Sequence, residues 1–195
     1  MKKYEFTGET INFLGTTLHR IRALVDIEKH NVKIGDIGGF IEKESNLSHD
    51  DKAWVCDDAR VYGDAIVCGN AIVCGNVWVC GNTTVCGNAT VCGNATVYGD
   101  AIVCGNAKVY GDAIVCGNAD IYSKNHILIV GPIGSRNDIT TFFRGIDRNV
   151  YVKCGCFIGT TDEFLAKVNE THGNNKHAET YRLATQLAIA QIDTE

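Results

Sequence analysis

Proline and methionine occur once each in 195 residues, and the longest aliphatic run, 127–130, is about four residues. A bilayer crossing needs roughly 20, so a membrane-spanning helix is excluded. The opening residues, Met1-Lys2-Lys3-Tyr4-Glu5, lead into no apolar signal core, and the expectation is a cytoplasmic protein. Basic residues are scarce in the middle of the chain, where only Arg60 and Lys108 fall between positions 55 and 122. That gap excludes a continuous basic groove for nucleic acid. The remaining composition, 45% hydrophobic and 21% charged with a net charge of -5, is that of a chain that folds.

Against these shortages stand 21 glycines and ten cysteines, and both follow from internal repetition. From Val55 to Tyr122 the sequence runs as twelve hexads of the form V-[CY]-[GD]-[ND]-A-x without an insertion. A helix cannot carry them, because Gly at every sixth position costs about 1 kcal/mol each relative to Ala and the Val residues would scatter around the axis. A meander of hairpins fails on facing: Val67 would pair with Ile72 and Ile66 with Val73, sending the repeated Val alternately to opposite faces. Identical hexads require identical environments, and a coil of short parallel strands supplies them with every Val inward and its neighbours outward. Gly-Asn or Gly-Asp makes each corner, and Ala beside it fits where the interior narrows.

These hexads resemble the left-handed parallel β-helix of the hexapeptide-repeat proteins, which implies three hexads per coil and about four to five coils in a mainly β fold. Before them, residues 1–54 read as an amino-terminal hairpin turning around Gly15, with strands at 4–7 and 17–25. An irregular capping coil follows, with Ile41 and Leu47 six apart. The segment from Gly35 to Ser48 resembles the lead-in of bacterial and phage hexapeptide-repeat proteins described as acetyltransferase-like. After the β-helix of 55–122, residues 123–195 read as a carboxy-terminal α+β module. Three short strands are expected at 127–130, 139–144 and 149–153, then a helix opened by the capping box Thr160-Thr161-Asp162-Glu163 and ended by Gly173. A second helix, near 176–192, buries Tyr181, Ala184, Leu187 and Ala188. This module resembles one found on phage and bacterial proteins of unassigned function.

Chemistry is written more faintly. Eight cysteines share one hexad position, and stacking by 18 puts Cys56, Cys74 and Cys92 in one outward column and Cys68, Cys86 and Cys104 in another. Neighbouring coils bring Cα atoms to about 4.8 Å, within disulfide reach. Tyr62, Tyr98, Tyr110 and Tyr122 take the same position, however, and no signal directs the chain to an oxidising compartment, so reduced thiols are expected. No CxxC or Cys/His spacing of a structural zinc site occurs, and no metal or cofactor is expected. Acyl transfer, implied by the hexapeptide-repeat resemblance, requires a catalytic His on a loop leaving the coils. Here the coils are unbroken and no His lies between Asp50 and Asn125. A nucleophilic Cys154 or Cys156 served by His172 or His177 is a second enzymatic reading, weighed against a strand cysteine and a helix-end histidine with no joint role.

The loop Gly131-Pro132-Ile133-Gly134-Ser135-Arg136 can cradle an anion with backbone N–H groups and the Arg136 fork, or be a plain turn. The favoured reading is a non-catalytic, phage-type β-helical scaffold that sequesters a small anionic or nucleotide ligand on its carboxy-terminal module through Ser135, Arg136, Asn137, Asp138, Arg144, His172 and Asn175. The alternative is an acyl-CoA-dependent acyltransferase. Few outward positions are charged, and strips such as Ile66 with Ile102 and Trp78 with Ile114 point to a homo-oligomer, a trimer in preference to a dimer through the carboxy-terminal helices.

Overall fold

The computed structural model describes residues 2–195. Twelve two-residue strands, from β4 (Trp54–Val55) to β15 (Asp120–Ile121), recur every six residues and form the three faces of a parallel β-solenoid. Each of the first nine pairs in register with the strand 18 residues on, Val55 with Val73 and Val67 with Val85. The inward residues of these strands are fully buried, as is the Ala, Val or Thr beside each corner. Thr83 takes such a place because its hydroxyl donates to the Cys80 carbonyl, 2.7 Å away.

The irregular first coil is present: β3 (Ile37–Ile41) runs parallel to β5 (Arg60–Val61), with Ile41 over Val61 and Leu47 bridged to Val67. Its corners carry carboxylates instead of the Gly-Asn and Gly-Asp pairs found below. Glu42, Asp51 and Asp57 accept the N–H groups of Gly63, Gly69 and Gly75 at 2.6, 2.5 and 2.8 Å. Below, the corner side chains ladder one onto another, Asn70 on Asn88 and Asn88 on Asn106 at 3.2 and 3.3 Å.

Corner glycines serve two needs that one pair of variants separates. Gly87 and Gly111 have φ of +64° and +66°, yet a Cβ at Gly87 would lie 2.7 Å from the Gly105 nitrogen while one at Gly111 meets nothing within 4 Å. Gly111→Ala therefore costs only the left-handed backbone penalty, about 1–2 kcal/mol. Gly87→Ala must also push two coils apart, adding about 2 kcal/mol. Urea unfolding that ranks the two variants equally would show that coil contact is not part of the requirement.

The hairpin is longer than expected, β1 (Tyr4–Phe13) and β2 (Thr16–Ala23), and turns through Leu14 and Gly15, both at positive φ. Strand β2 pairs antiparallel with β3, so the hairpin extends one solenoid face. Phe13 then packs edge-on against Trp78, 4.8 Å between ring centroids. Thr141 accepts the Ile114 N–H at 3.1 Å at the opposite end of that face. The Trp78–Ile114 strip is thus met within the chain, while Ile66 stays 44% exposed.

The carboxy-terminal module is a four-stranded antiparallel sheet, β16 (Ile127–Ile133), β17 (Asp138–Arg144), β18 (Val150–Cys154) and β19 (Phe157–Thr160), with α1 (Thr161–His172) and α2 (Lys176–Gln191). The capping box is formed: Thr160 accepts from the Glu163 amide and Glu163 from the Thr160 amide. Leu187 corrects the expected helix face. Buried Tyr181, Ala184, Thr185 and Ala188 share one stripe, and Leu187, rotated off it, is 52% exposed. Gly145 bridges to Ala119 and the Ile146 amide donates to the Asn118 carbonyl, so the module closes the lower edge of the solenoid.

Candidate functional site

A cavity of about 460 Å³ lies by the first coil between Lys3, Asp26, Glu28, His49, Asp51 and neighbours. Lys3 in its lining is fully engaged, whereas His49 uses Nδ1 and keeps Nε2 buried without a hydrogen-bond partner among the described residues. Lys3, 3% exposed, donates to the Asp51 carboxylate and to the Asp51 and Ala53 carbonyls, and burial lowers its pKa from the ordinary lysine value. His49 stacks on Tyr4 and accepts the Lys3 amide on Nδ1 at 3.1 Å, and burial lowers its pKa too.

A smaller cavity, about 270 Å³, opens in the carboxy-terminal module between the 134–137 turn, β18 and α1. Ser135, Arg136, Cys154, Lys167, His172 and Tyr181 supply its polar lining, with Phe157, Phe164 and Val168 as apolar walls. A chain of polar contacts runs behind it. The Thr140 hydroxyl donates to the Cys154 sulfur at 3.4 Å, and the Cys154 thiol to the Tyr181 oxygen at 3.8 Å. Ser135 approaches that phenol, and its Oγ lies 3.4 Å from His172 Nε2. Burial, with Cys154 beside it, raises the Tyr181 pKa above the ordinary tyrosine value, so the phenol stays protonated and able to donate. Gly134 makes this approach possible. It sits at φ +70°, and a Cβ there would lie 1.9 Å from Tyr181 Cζ and 2.0 Å from its hydroxyl oxygen.

Of the seven residues expected to bind ligand, the fold brings Ser135, Arg136 and His172 together here. Asn175 instead caps α2, accepting the His177 and Ala178 amides. Asn137 holds the turn at φ +49°, and exposed Asp138 bonds the next amide. Arg144 lies apart from this cavity, buried at the junction with the solenoid, where it meets Asp120 at 2.8 Å. The expectation missed Lys167 and Tyr181. Tyr181 reads as a plain core residue of a helix, and nothing in its spacing marks the phenol as facing Ser135.

The coils are similar to a repeat described as the YdcK beta solenoid repeat. Its family model matches residues 53–69 and 89–105, the first beginning two residues ahead of the hexads and the second lying within them. No curated protein matches the chain.

The cysteine columns stand as stacked. Cys86 and Cys104, with Cα atoms 4.5 Å apart, are joined as a disulfide, which corrects the expectation of reduced thiols at that pair. The coil spacing itself brings them to bridging range. The other eight cysteines are free, with Cys116 buried and Cys156 exposed.

Proposed function

We propose that the chain is a β-solenoid scaffold whose carboxy-terminal module binds a small anionic ligand in the cavity beside Arg136. The observation that carries this reading is charge: Arg136, Lys167 and His172 line the cavity without a carboxylate among them, in a protein of net charge -5. Lys167 pairs with Glu170 at 2.8 Å, but both are well exposed, and such a pair is worth little. Ser135, Tyr181 and Cys154 supply hydroxyl and thiol groups behind the cations, and the three apolar walls suit the uncharged part of a ligand. At about 270 Å³ the space lies just under the usual range of small-molecule sites, roughly 300–1,000 Å³. It fits a phosphate with a sugar-sized appendage, or part of a mononucleotide.

The acyl-transfer alternative needs a free imidazole near the coils. In the two that flank them the Nδ1 lone pair is taken, by the Lys3 amide at His49 and by the Tyr122 amide at His126, so each neutral ring carries its proton on Nε2 and has no basic nitrogen to spare.

Calorimetric titration with inorganic phosphate and with adenosine monophosphate tests the proposal. Binding by either is expected, and Arg136→Ala should weaken it about 10- to 100-fold, the loss of one charge-assisted hydrogen bond of roughly 1.5–3 kcal/mol. Absence of binding by both probes, or equal binding by the variant, rejects the site.

A further inference from the structure

The two cysteine columns differ in one donor. Beside Cys86 and Cys104, which are bridged, the corner residues are Gly87 and Gly105. Beside Cys56 the corner residue is Asp57, where every later corner from 63 to 117 has Gly at positive φ. Asp57 keeps that backbone shape, φ +55°, although it is not glycine. One carboxylate oxygen accepts the Gly75 amide at 2.8 Å, which leaves the other free. The Val55–Val73 register carries Cys56 and Cys74 to the same face of adjacent coils. The two sulfur atoms and a carboxylate oxygen of Asp57 all lie within 4.8 Å of one another, and no other trio of His, Cys, Asp or Glu ligand atoms does so among the described residues. Asp57 is exposed and both cysteines are partly exposed, so an ion has access.

We propose that Cys56, Cys74 and Asp57 form a binding site for a divalent d10 cation of the zinc type, with a fourth position left to water. Thiolate and carboxylate are the donors such a cation takes, at about 2.3 and 2.0–2.2 Å, and tetrahedral bonds of that length hold donor atoms roughly 3.5–3.8 Å apart. Rotation about the side-chain bonds closes the observed trio to that separation while the coils keep their spacing. Each thiol releases its proton to solvent as its sulfur binds, and no electron is transferred. In the linear sequence the two cysteines are 18 residues apart, a spacing that resembles no zinc motif. Only the coil makes them neighbours.

The test uses the full chain carrying Cys86→Ser and Cys104→Ser, reduced with a phosphine and titrated with cadmium chloride while the thiolate-to-metal charge-transfer absorbance is followed. One equivalent is expected to bind. Adding Cys74→Ser should abolish it, and Asp57→Gly, which restores the residue of the other corners, should weaken it at least tenfold in a protein whose circular dichroism shows it folded. Retention of the equivalent at parental affinity in Cys74→Ser overturns the proposal. So does a folded Asp57→Gly variant that binds as tightly as the parent.

Discussion

Val85→Asp is expected to abolish the cooperative melt of the solenoid, because it places a carboxylate where no partner exists. Val85, in β9 (Thr84–Val85), is fully buried and registers with Val67 one coil above and Val103 one coil below. An unpaired charge in such a place costs several kcal/mol against a total stability of about 5–15. Coils contact only their neighbours, so a break at Val85 uncouples the upper coils from the lower ones instead of being absorbed locally. Thr83 shows the condition under which this interior takes a polar group: its hydroxyl is buried but satisfied by the Cys80 carbonyl. Thr84→Asp, on the outward side of the same strand, should melt close to the parent. Thermal melts followed by far-ultraviolet circular dichroism compare the two, and similar loss in both would contradict the inward and outward assignment.

The solenoid was legible because its period is rigid. Ile41 and Leu47, six apart, already mark a coil that stacks on Val61 and Val67. The two extra residues between Leu47 and Val55 relative to the hexad spacing carried no such signal. They fall in the segment where Asp51 accepts the Gly69 amide and holds Lys3, contacts between residues far apart in sequence. In the carboxy-terminal module the capping box was legible, since its bonds are local. Strand β19 was not, because Phe157-Ile158-Gly159-Thr160 is short, contains Gly and leads directly into the helix cap. Ser135 and His172 are 37 residues apart, and their meeting depends on Gly134 letting the turn lie against Tyr181. That is a tertiary contact with no periodicity to announce it. The cysteine columns were legible as columns, but their chemistry was not: spacing of 18 is common to the bridged pair and to the pair beside Asp57.

Arg144→Ala is expected to loosen the carboxy-terminal module from the solenoid at a cost of about 3–5 kcal/mol, the usual penalty for stranding one partner of a buried pair. Expected among the ligand-binding residues of the carboxy-terminal module, Arg144 is instead spent inside the protein. Its Nε donates to the Asp120 carbonyl at 3.1 Å, its Nη2 to the Asp120 carboxylate at 2.8 Å and its Nη1 to the Glu195 carbonyl at 3.4 Å. One side chain thus joins the last strand of the solenoid, the end of β17 and the chain terminus. The guanidinium also lies 3.3 Å from His126 Nε2. Burial first, and then this positive neighbour, lower the His126 pKa, so the imidazole stays neutral and keeps the Tyr122 amide on Nδ1. Arg144→Lys retains the charge but not the fork, and should recover only part of the loss. Arg144→Leu combined with Asp120→Ala removes both charges together and should fall much closer to the parent than Arg144→Ala, since no ion is left unpaired. Urea unfolding measures all three, and phosphate titration of the folded variants separates the roles. An Arg144→Ala protein that unfolds like the parent but no longer binds phosphate would return Arg144 to the ligand site, whereas weakened folding with intact binding places it in the joint between solenoid and module.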